Sequence, residues 1–155
     1  MQKKILFQTK INNAKEEDLP DILKIEEESS PNPWKRSFFE DELSNDSSTI
    51  LIFRLDHGDE MAGFLVFRKI GDIVEVNNVG VKKDFRRKGV ATSLLSNLLE
   101  RSKREKVVSI FLEVRAKNKE AVRLYKKLGF GYLSIRKGYY SKPKDDALIY
   151  KLKLR

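Results

Sequence analysis

The 155-residue sequence contains no cysteine, one histidine and one tryptophan. Without cysteine there are no disulfides, no thiolate nucleophile and none of the commonest zinc frameworks. With His57 as the single imidazole, a metal site would need an all-carboxylate design that nothing in the sequence suggests. His57 itself, beside Gly58-Asp59, reads as a surface turn residue. Long apolar runs are missing as well. The cluster Ile5-Leu6-Phe7 is far too short for a signal peptide, and no stretch could span a bilayer. The expectation is a cytoplasmic protein with no metal and no membrane association. Repeats, low-complexity tracts and linkers are also missing, so one domain over residues 1–155 is expected, and at 40% hydrophobic residues it can bury a proper core.

Charge is plentiful. Lys and Arg number 32 against 23 acidic residues, a net charge of +9. Such an excess invites nucleic-acid binding, yet the basic residues are interleaved with acidic ones along the chain. Local excesses fall at Lys82 to Arg87 and in a late segment with Lys137, Lys142 and Lys144. No specific nucleic acid is expected.

Periodicity organises the rest. Lys4 to Ile11 reads as an opening strand. Asp18-Leu19-Pro20 starts a helix carrying Leu19, Ile22, Leu23 and Ile25, with proline tolerated in its first turn. Ser29 to Pro33 breaks the chain before a second helix from about Lys35 to Leu43. Strands at 49–55 and 62–69 flank a hairpin turn, and a third strand ends at Val81. Val90, Leu94, Leu95, Leu98 and Leu99 recur at helical spacing. The segment Val107 to Arg115 reads as a strand, and the helix holding Ala121, Leu124, Tyr125 and Leu128 is stopped by Gly129. Tyr132 to Arg136 and Leu148 to Leu152 close the chain as strands. The order β-α-α-β-β-β-α-β-α-β-β predicts an α/β fold with a mixed sheet flanked by helices.

The richest signal is the turn Arg86-Arg87-Lys88-Gly89-Val90-Ala91, between the strand ending at Val81 and the helix after it. A basic turn opening a helix presents backbone N–H groups and a partial positive charge outward. Gly89 lets the main chain come close to a ligand. A phosphate-bearing cofactor is therefore expected. The turn lacks the Gly-Lys-Ser/Thr ending of a nucleoside-triphosphate loop and the three glycines of a dinucleotide fold. Its Arg-x-x-Gly-x-Ala pattern instead resembles the coenzyme A loop of the GCN5-related N-acetyltransferase (GNAT) superfamily. Leu112-Glu113-Val114-Arg115, Asn118, Leu124-Tyr125 and Leu128-Gly129-Phe130 resemble that superfamily's second cofactor-binding region. Asn32-Pro33-Trp34, Ile135 to Tyr140 and Asp146 to Tyr150 resemble its RimI-type branch, the ribosomal-protein alanine N-acetyltransferases and other protein N-terminal acetyltransferases. The sequence departs from the usual pattern in lacking a proline before the loop and in carrying Ala91 where a second glycine is more frequent.

The resemblance implies the GNAT fold, with a mostly antiparallel central sheet, and acetyl-CoA as co-substrate. It implies cofactor contacts from Arg86, Arg87, Lys88, Gly89, Val90, Ala91 and Thr92, from the backbone of Val79, Gly80 and Val81, and from Asn118. On its residues alone, Glu113 is a strand-end carboxylate paired with Arg115 or a lysine; the resemblance makes it a general base, whose pKa partial burial would raise. Tyr125 lies on an apolar stripe, and the resemblance makes it the acid that protonates the departing thiolate. Asn118 suits a helix N-cap or a bond to the pantetheine arm. Trp34 and Tyr139 are rim aromatics that the resemblance places in a peptide slot, with Tyr139 in a loop between the closing strands. The implied reaction is direct acetyl transfer to a protein N-terminus, a ribosomal protein beginning with alanine being the leading substrate. The sequence leaves open the oligomeric state and two alternatives: acetylation of lysine or small amines, and a basic RNA- or ribosome-binding module without catalysis.

Overall fold

Alternating and helical patterns become elements in the expected order. The computed structural model describes residues 9–55 and 59–155. Strand β1 (Thr9–Asn13) leads through a 3-10 turn to α1 (Leu19–Ser29) and α2 (Arg36–Ser44). Strands β2 (Ser48–Leu55), β3 (Met61–Ile70) and β4 (Ile73–Val81) form a meander. Then come α3 (Val90–Arg104), β5 (Ser109–Arg115) and α4 (Lys119–Lys127), and the closing hairpin of β6 (Gly131–Ser141) and β7 (Lys144–Lys153). The part of the opening strand expected at residues 4–8 lies outside the described residues, as does His57. Among the described residues no helix is long and apolar enough to cross a membrane.

The seven strands form one sheet in the order β1-β2-β3-β4-β5-β7-β6, antiparallel except between β4 and β5. Two apolar clusters cover its faces. One joins Leu94, Leu95 and Leu98 of α3 and Tyr125 of α4 to Val74, Val76, Ile110, Leu112 and Val114 of the sheet. The other packs Leu19, Ile22 and Ile25 of α1 and Phe39 of α2 on Ile50, Ile52, Met61, Phe64 and Val66. This second layer includes no residue of β5, β6 or β7. The half of that face which carries Glu113 is therefore left without a helix over it.

The sheet is parted in the middle. Pairing of β4 with β5 runs from Ile73↔Ser109 to Val76↔Leu112 and stops there. Beyond it β4 stays paired with β3 as far as Gly63↔Val81, and β5 with β7 as far as Arg115↔Ala147. A bulge marks the parting: Val66 faces Asn78 while Phe67 faces Val76, so Asn77 is the extra residue. A bulge bends and twists its strand, turning β4 away from β5. The side chain of Asn77 hydrogen-bonds Glu42 of α2, and Asn78 Nδ2 donates to Glu26 Oε2 of α1 (3.1 Å).

The closing hairpin departs from expectation. Each strand is longer than the sequence pattern indicates, because β6 carries irregularities between Tyr132 and Ser134 and between Arg136 and Tyr140. These break the period-2 alternation from which strands are read. Tyr139 accordingly lies within β6 and not in a loop.

Gly80 sits where β4 passes beneath α1. A Cβ there would lie 2.7 Å from Phe64 Cζ and 3.2 Å from Ile25 Cγ2. Phe64 is fully buried and edge-packed on Phe39 at 5.6 Å, so its ring has nowhere to go. Gly80→Ala is expected to destabilise the fold by about 1–3 kcal/mol through overpacking, read from urea unfolding midpoints at constant slope.

Candidate active site

The basic turn and the parted strands meet at one end of the sheet. Gly89 is the N-cap of α3 with φ +87°, and no side chain caps the helix. A Cβ at Gly89 would meet nothing within 4 Å. The first-turn N–H groups of Val90, Ala91 and Thr92 have no acceptor inside the helix by geometry. Arg86, Arg87 and Lys88 are exposed around them. Arg87 Nη2 lies 3.3 Å from Glu120 Oε2, which ties the turn to α4, and Lys88 Nζ stands 5.7 Å from the centre of the Phe85 ring. Below the turn, Val79, Gly80 and Val81 lie on the β4 edge that β5 has left. Across the gap Asn118 caps α4, its Oδ1 accepting from Ala121 N–H at 3.2 Å. The capping role expected for Asn118 is thus observed, and its Nδ2 is still a donor.

Glu113 and Tyr125 lie on opposite faces of the sheet. Leu112 and Val114 belong to the α3/α4 cluster, so strand alternation puts Glu113 on the other face. That face is bare here, and the Glu113 side chain is 35% exposed. The side chain is thus partly buried, although no helix covers β5 on this side. Its ionic partner is neither Arg115 nor a lysine but Arg136, with Nη1 at 3.3 Å from Oε1. Tyr125 is buried and packs edge-on against Phe130 at 6.0 Å. Burial pushes its phenol from the ordinary 10 up to about 12.

The two aromatic residues expected at a peptide slot have different settings. Trp34 is half-buried in the loop between α1 and α2, 5.1 Å from Phe39 and 6.2 Å from Phe38 between ring centres. Its backbone N–H donates to Glu26 Oε2 at 2.9 Å. Tyr139 is 53% exposed, meets Tyr140 edge-on at 5.2 Å, and has the Arg136 guanidinium 5.4 Å from its ring centre. Arg136 thereby connects Tyr139 to Glu113. Arg115 performs a similar task one residue pair along: its guanidinium stacks 3.9 Å over Tyr140 and donates to the carbonyls of Pro143 (2.9 Å) and Lys142 (3.3 Å). The sequence reading did not single out Arg136, Glu26 or Asn78 as site residues. Arg136 looked like one basic residue among many, and only the register of β6 on β7 reveals its place. Glu26 falls in the run Glu26-Glu27-Glu28, and only its place on the apolar face of α1 could have marked it.

A parted sheet with a glycine-led helix at its mouth defines a class, an α/β transferase that holds a phosphate-bearing acyl carrier. Comparison with known proteins agrees. The model of the acetyltransferase (GNAT) family matches residues 19–130. The chain is 33% identical over 141 residues to the ribosomal-protein-bS18-alanine N-acetyltransferase of Escherichia coli K12, covering 90% of this chain and 93% of that protein. It is 30% identical over 150 residues to an N-alpha-acetyltransferase of Saccharolobus solfataricus, covering 90% of each. The crystal structure of the E. coli ribosomal-protein-S18-alanine N-acetyltransferase matches with a TM-score of 0.87 at 29% identity, over 95% of this chain and 94% of that one. The chain belongs to the acetyltransferase (GNAT) family and is an acetyl-CoA-dependent N-acetyltransferase.

Tyr125 leaves a signature in the stability curve. Its pKa is higher folded than unfolded, so its contribution is complete below pH 10 and is lost as pH rises through about 12. Two units correspond to roughly 3 kcal/mol. Urea unfolding between pH 9.5 and 12 should therefore show a smaller alkaline loss in Tyr125→Phe than in the parent, by about that amount.

Proposed function

We propose that this enzyme acetylates the α-amine of a protein N-terminus by direct transfer in a ternary complex, with a ribosomal protein beginning with alanine as its leading substrate. The observation that carries this reading is the bare half of the sheet face. It leaves Glu113 open to solvent between the Trp34 loop, joined to β4 through Glu26, and Tyr139, joined to Glu113 through Arg136. An extended peptide could enter there with its first residues between two aromatic side chains. The activities named for the E. coli and S. solfataricus relatives support the same reading.

Acetyl-CoA supplies a thioester-activated acetyl group. The open space at Gly89 and the free edge of β4 fit it. Arg86, Arg87, Lys88 and the N–H groups from Gly89 to Thr92 would hold its phosphates. The backbone of Val79, Gly80 and Val81, with Asn118 Nδ2, would bond the amides of its pantetheine arm. Glu113 takes the proton of the attacking amine, directly or through one water. Tyr125 keeps its proton and hydrogen-bonds the departing sulfur. Complete transfer from a phenol at about 12 to a thiolate whose thiol lies near 8.5 would be uphill by roughly 5 kcal/mol. Charge stabilisation by a fixed donor therefore precedes any proton delivery to the sulfur.

The identity of the amine follows from the same arithmetic. At pH 7 deprotonating an α-amine of pKa about 7.7–8.0 costs about 1 kcal/mol, and a lysine near 10.4 costs about 4.6. A single carboxylate base meets the first demand far more easily. A peptide with a free α-amine should be acetylated faster than the same peptide blocked at its N-terminus and carrying a lysine. Faster turnover of the blocked peptide, measured by acetyl incorporation, would reject the N-terminal assignment.

Glu113→Gln should lower kcat by about 10²–10⁴ and Tyr125→Phe by about 10²–10³. Acetyl-CoA affinity, followed by titration calorimetry, should stay within about twofold for both, because neither group chiefly holds the cofactor. Turnover close to the parent's in both variants would leave positioning as the sole source of catalysis.

A further inference from the structure

Glu26 is a buried carboxylate that the chemistry above does not use. It is 2% exposed, and its Oε1 has no hydrogen-bond partner among the described residues. Its Oε2 receives two neutral donors, the Trp34 N–H at 2.9 Å and Asn78 Nδ2 at 3.1 Å. Burial pushes the Glu26 carboxyl above its ordinary range, against the opposing effect of those two bonds. A buried acid held this way weakens the fold at neutral pH, since its stabilising contribution is complete only below the unfolded value of 4.5. A glutamine could serve Trp34 without that cost.

We propose that Glu26 and Asn78 act as one unit that positions the acceptor amine, an inference that rests on the transfer to a peptide amine argued above. An ionised carboxylate only accepts, so it dictates which end of the Asn78 amide faces it. Nδ2 is turned to Glu26, and Oδ1 is carried on the far side of the planar group. Asn78 stands on β4 just past the last β4–β5 pair, on the sheet face that also bears Glu113. Asn78 Oδ1 accepts one N–H of the neutral amine and Glu113 accepts another. An amine held by two acceptors has its lone pair fixed in direction, which is what a near-attack geometry requires. Glu26 touches no substrate. It acts through Asn78, and through Trp34 it holds the wall of the slot in the same frame.

Glu26→Leu removes the acceptor that turns Nδ2 inward, and Asn78→Ala removes Oδ1 outright. Glu26→Gln, with its amide oxygen in the place of Oε2, keeps both bonds and is the conservative control. The parent enzyme is first assayed on the free-amine and blocked-lysine peptides, and the better substrate is then used for every variant. Glu26→Leu and Asn78→Ala should each raise the peptide KM about tenfold or more, the loss of one hydrogen bond, with acetyl-CoA affinity by calorimetry within twofold. Glu26→Gln should keep the parent's KM within about twofold and melt no lower. The double variant of Glu26→Leu with Asn78→Ala should be no worse than Asn78→Ala alone, since residues acting as a unit are not additive. A peptide KM within twofold of the parent in folded Glu26→Leu or Asn78→Ala overturns the proposal, and so does a double variant whose effects multiply. A Glu26→Leu protein that melts lower with unchanged KM assigns Glu26 to structure only. If Glu26→Leu does not fold, the KM of Asn78→Ala decides. A parent preference for the lysine peptide would overturn the N-terminal reading instead, and the pair would still stand or fall on the KM ratios.

Discussion

The parting of β4 from β5 is the constraint on which the rest of this molecule depends. Backbone groups released from a sheet ladder need other partners, so a strand does not leave its neighbour without cause. Here both strands keep their outer partners, β3 and β7, and only the inner edges separate. The extra residue Asn77 supplies the bend, and acids from two different helices hold the consecutive asparagines at that point. The consequence is an opening flanked by main-chain donors and acceptors in the middle of an otherwise continuous sheet. Gly89 and the first turn of α3 follow directly from the end of β4, which brings an uncapped helix terminus to the opening. The same separation exposes Glu113 from one side, while Tyr125 packs from the other.

Much of this is legible in the residues because local pattern and tertiary role coincide. In α3 the apolar stripe is the buried face, and in β5 the alternation of Leu112 and Val114 with Glu113 is the alternation of core and groove. The cofactor turn is legible for the same reason, since a positive-φ glycine at a helix start is a chemical requirement written in one letter. The β6–β7 hairpin is not legible in this way. Nearly all of β6 is exposed on both faces, so no burial pattern marks it, and its irregularities at Leu133 and around Gly138 destroy what alternation remains. Neither the pairing of Arg136 with Glu113 nor the raised pKa of Tyr125 can be read from spacing. One depends on cross-strand register and the other on the density of packing around a ring.

The hairpin's exposure has a counterpart in its internal bonding. Arg115 binds two carbonyls of the tip, Gly138 N–H donates to Asp146 Oδ1 at 2.7 Å, and Lys117 N–H donates to Asp145 Oδ2 at 3.0 Å. Asp145 is buried although its strand neighbours are not. Polar bonds thus replace the apolar core that this half of the sheet lacks on one face. They set the position of Tyr139 and Tyr140 while leaving Tyr139 exposed, which suits a surface that must admit another chain. Fixing aromatic side chains before the partner arrives removes part of the ordering entropy that binding would otherwise incur.

The two acids at the bulge show how that economy stops at the active site. Glu42 and Glu26 are both buried, both project from a helix on the same face, and each holds one of two adjacent asparagines. Burial opposes ionisation in both. For Glu42 it is overcome by the Arg68 guanidinium, whose Nε stands 3.1 Å from Oε1, and by Ser48 Oγ at 2.9 Å, so its carboxyl lies below the ordinary range. Glu26 receives only neutral donors and lies above it. A charged partner like that of Glu42 would have stabilised Glu26, but it would have competed with Asn78 for the carboxylate on which the proposed positioning of the acceptor depends. On that proposal one acid of the pair serves stability and the other the acceptor, and the difference lies in a single guanidinium.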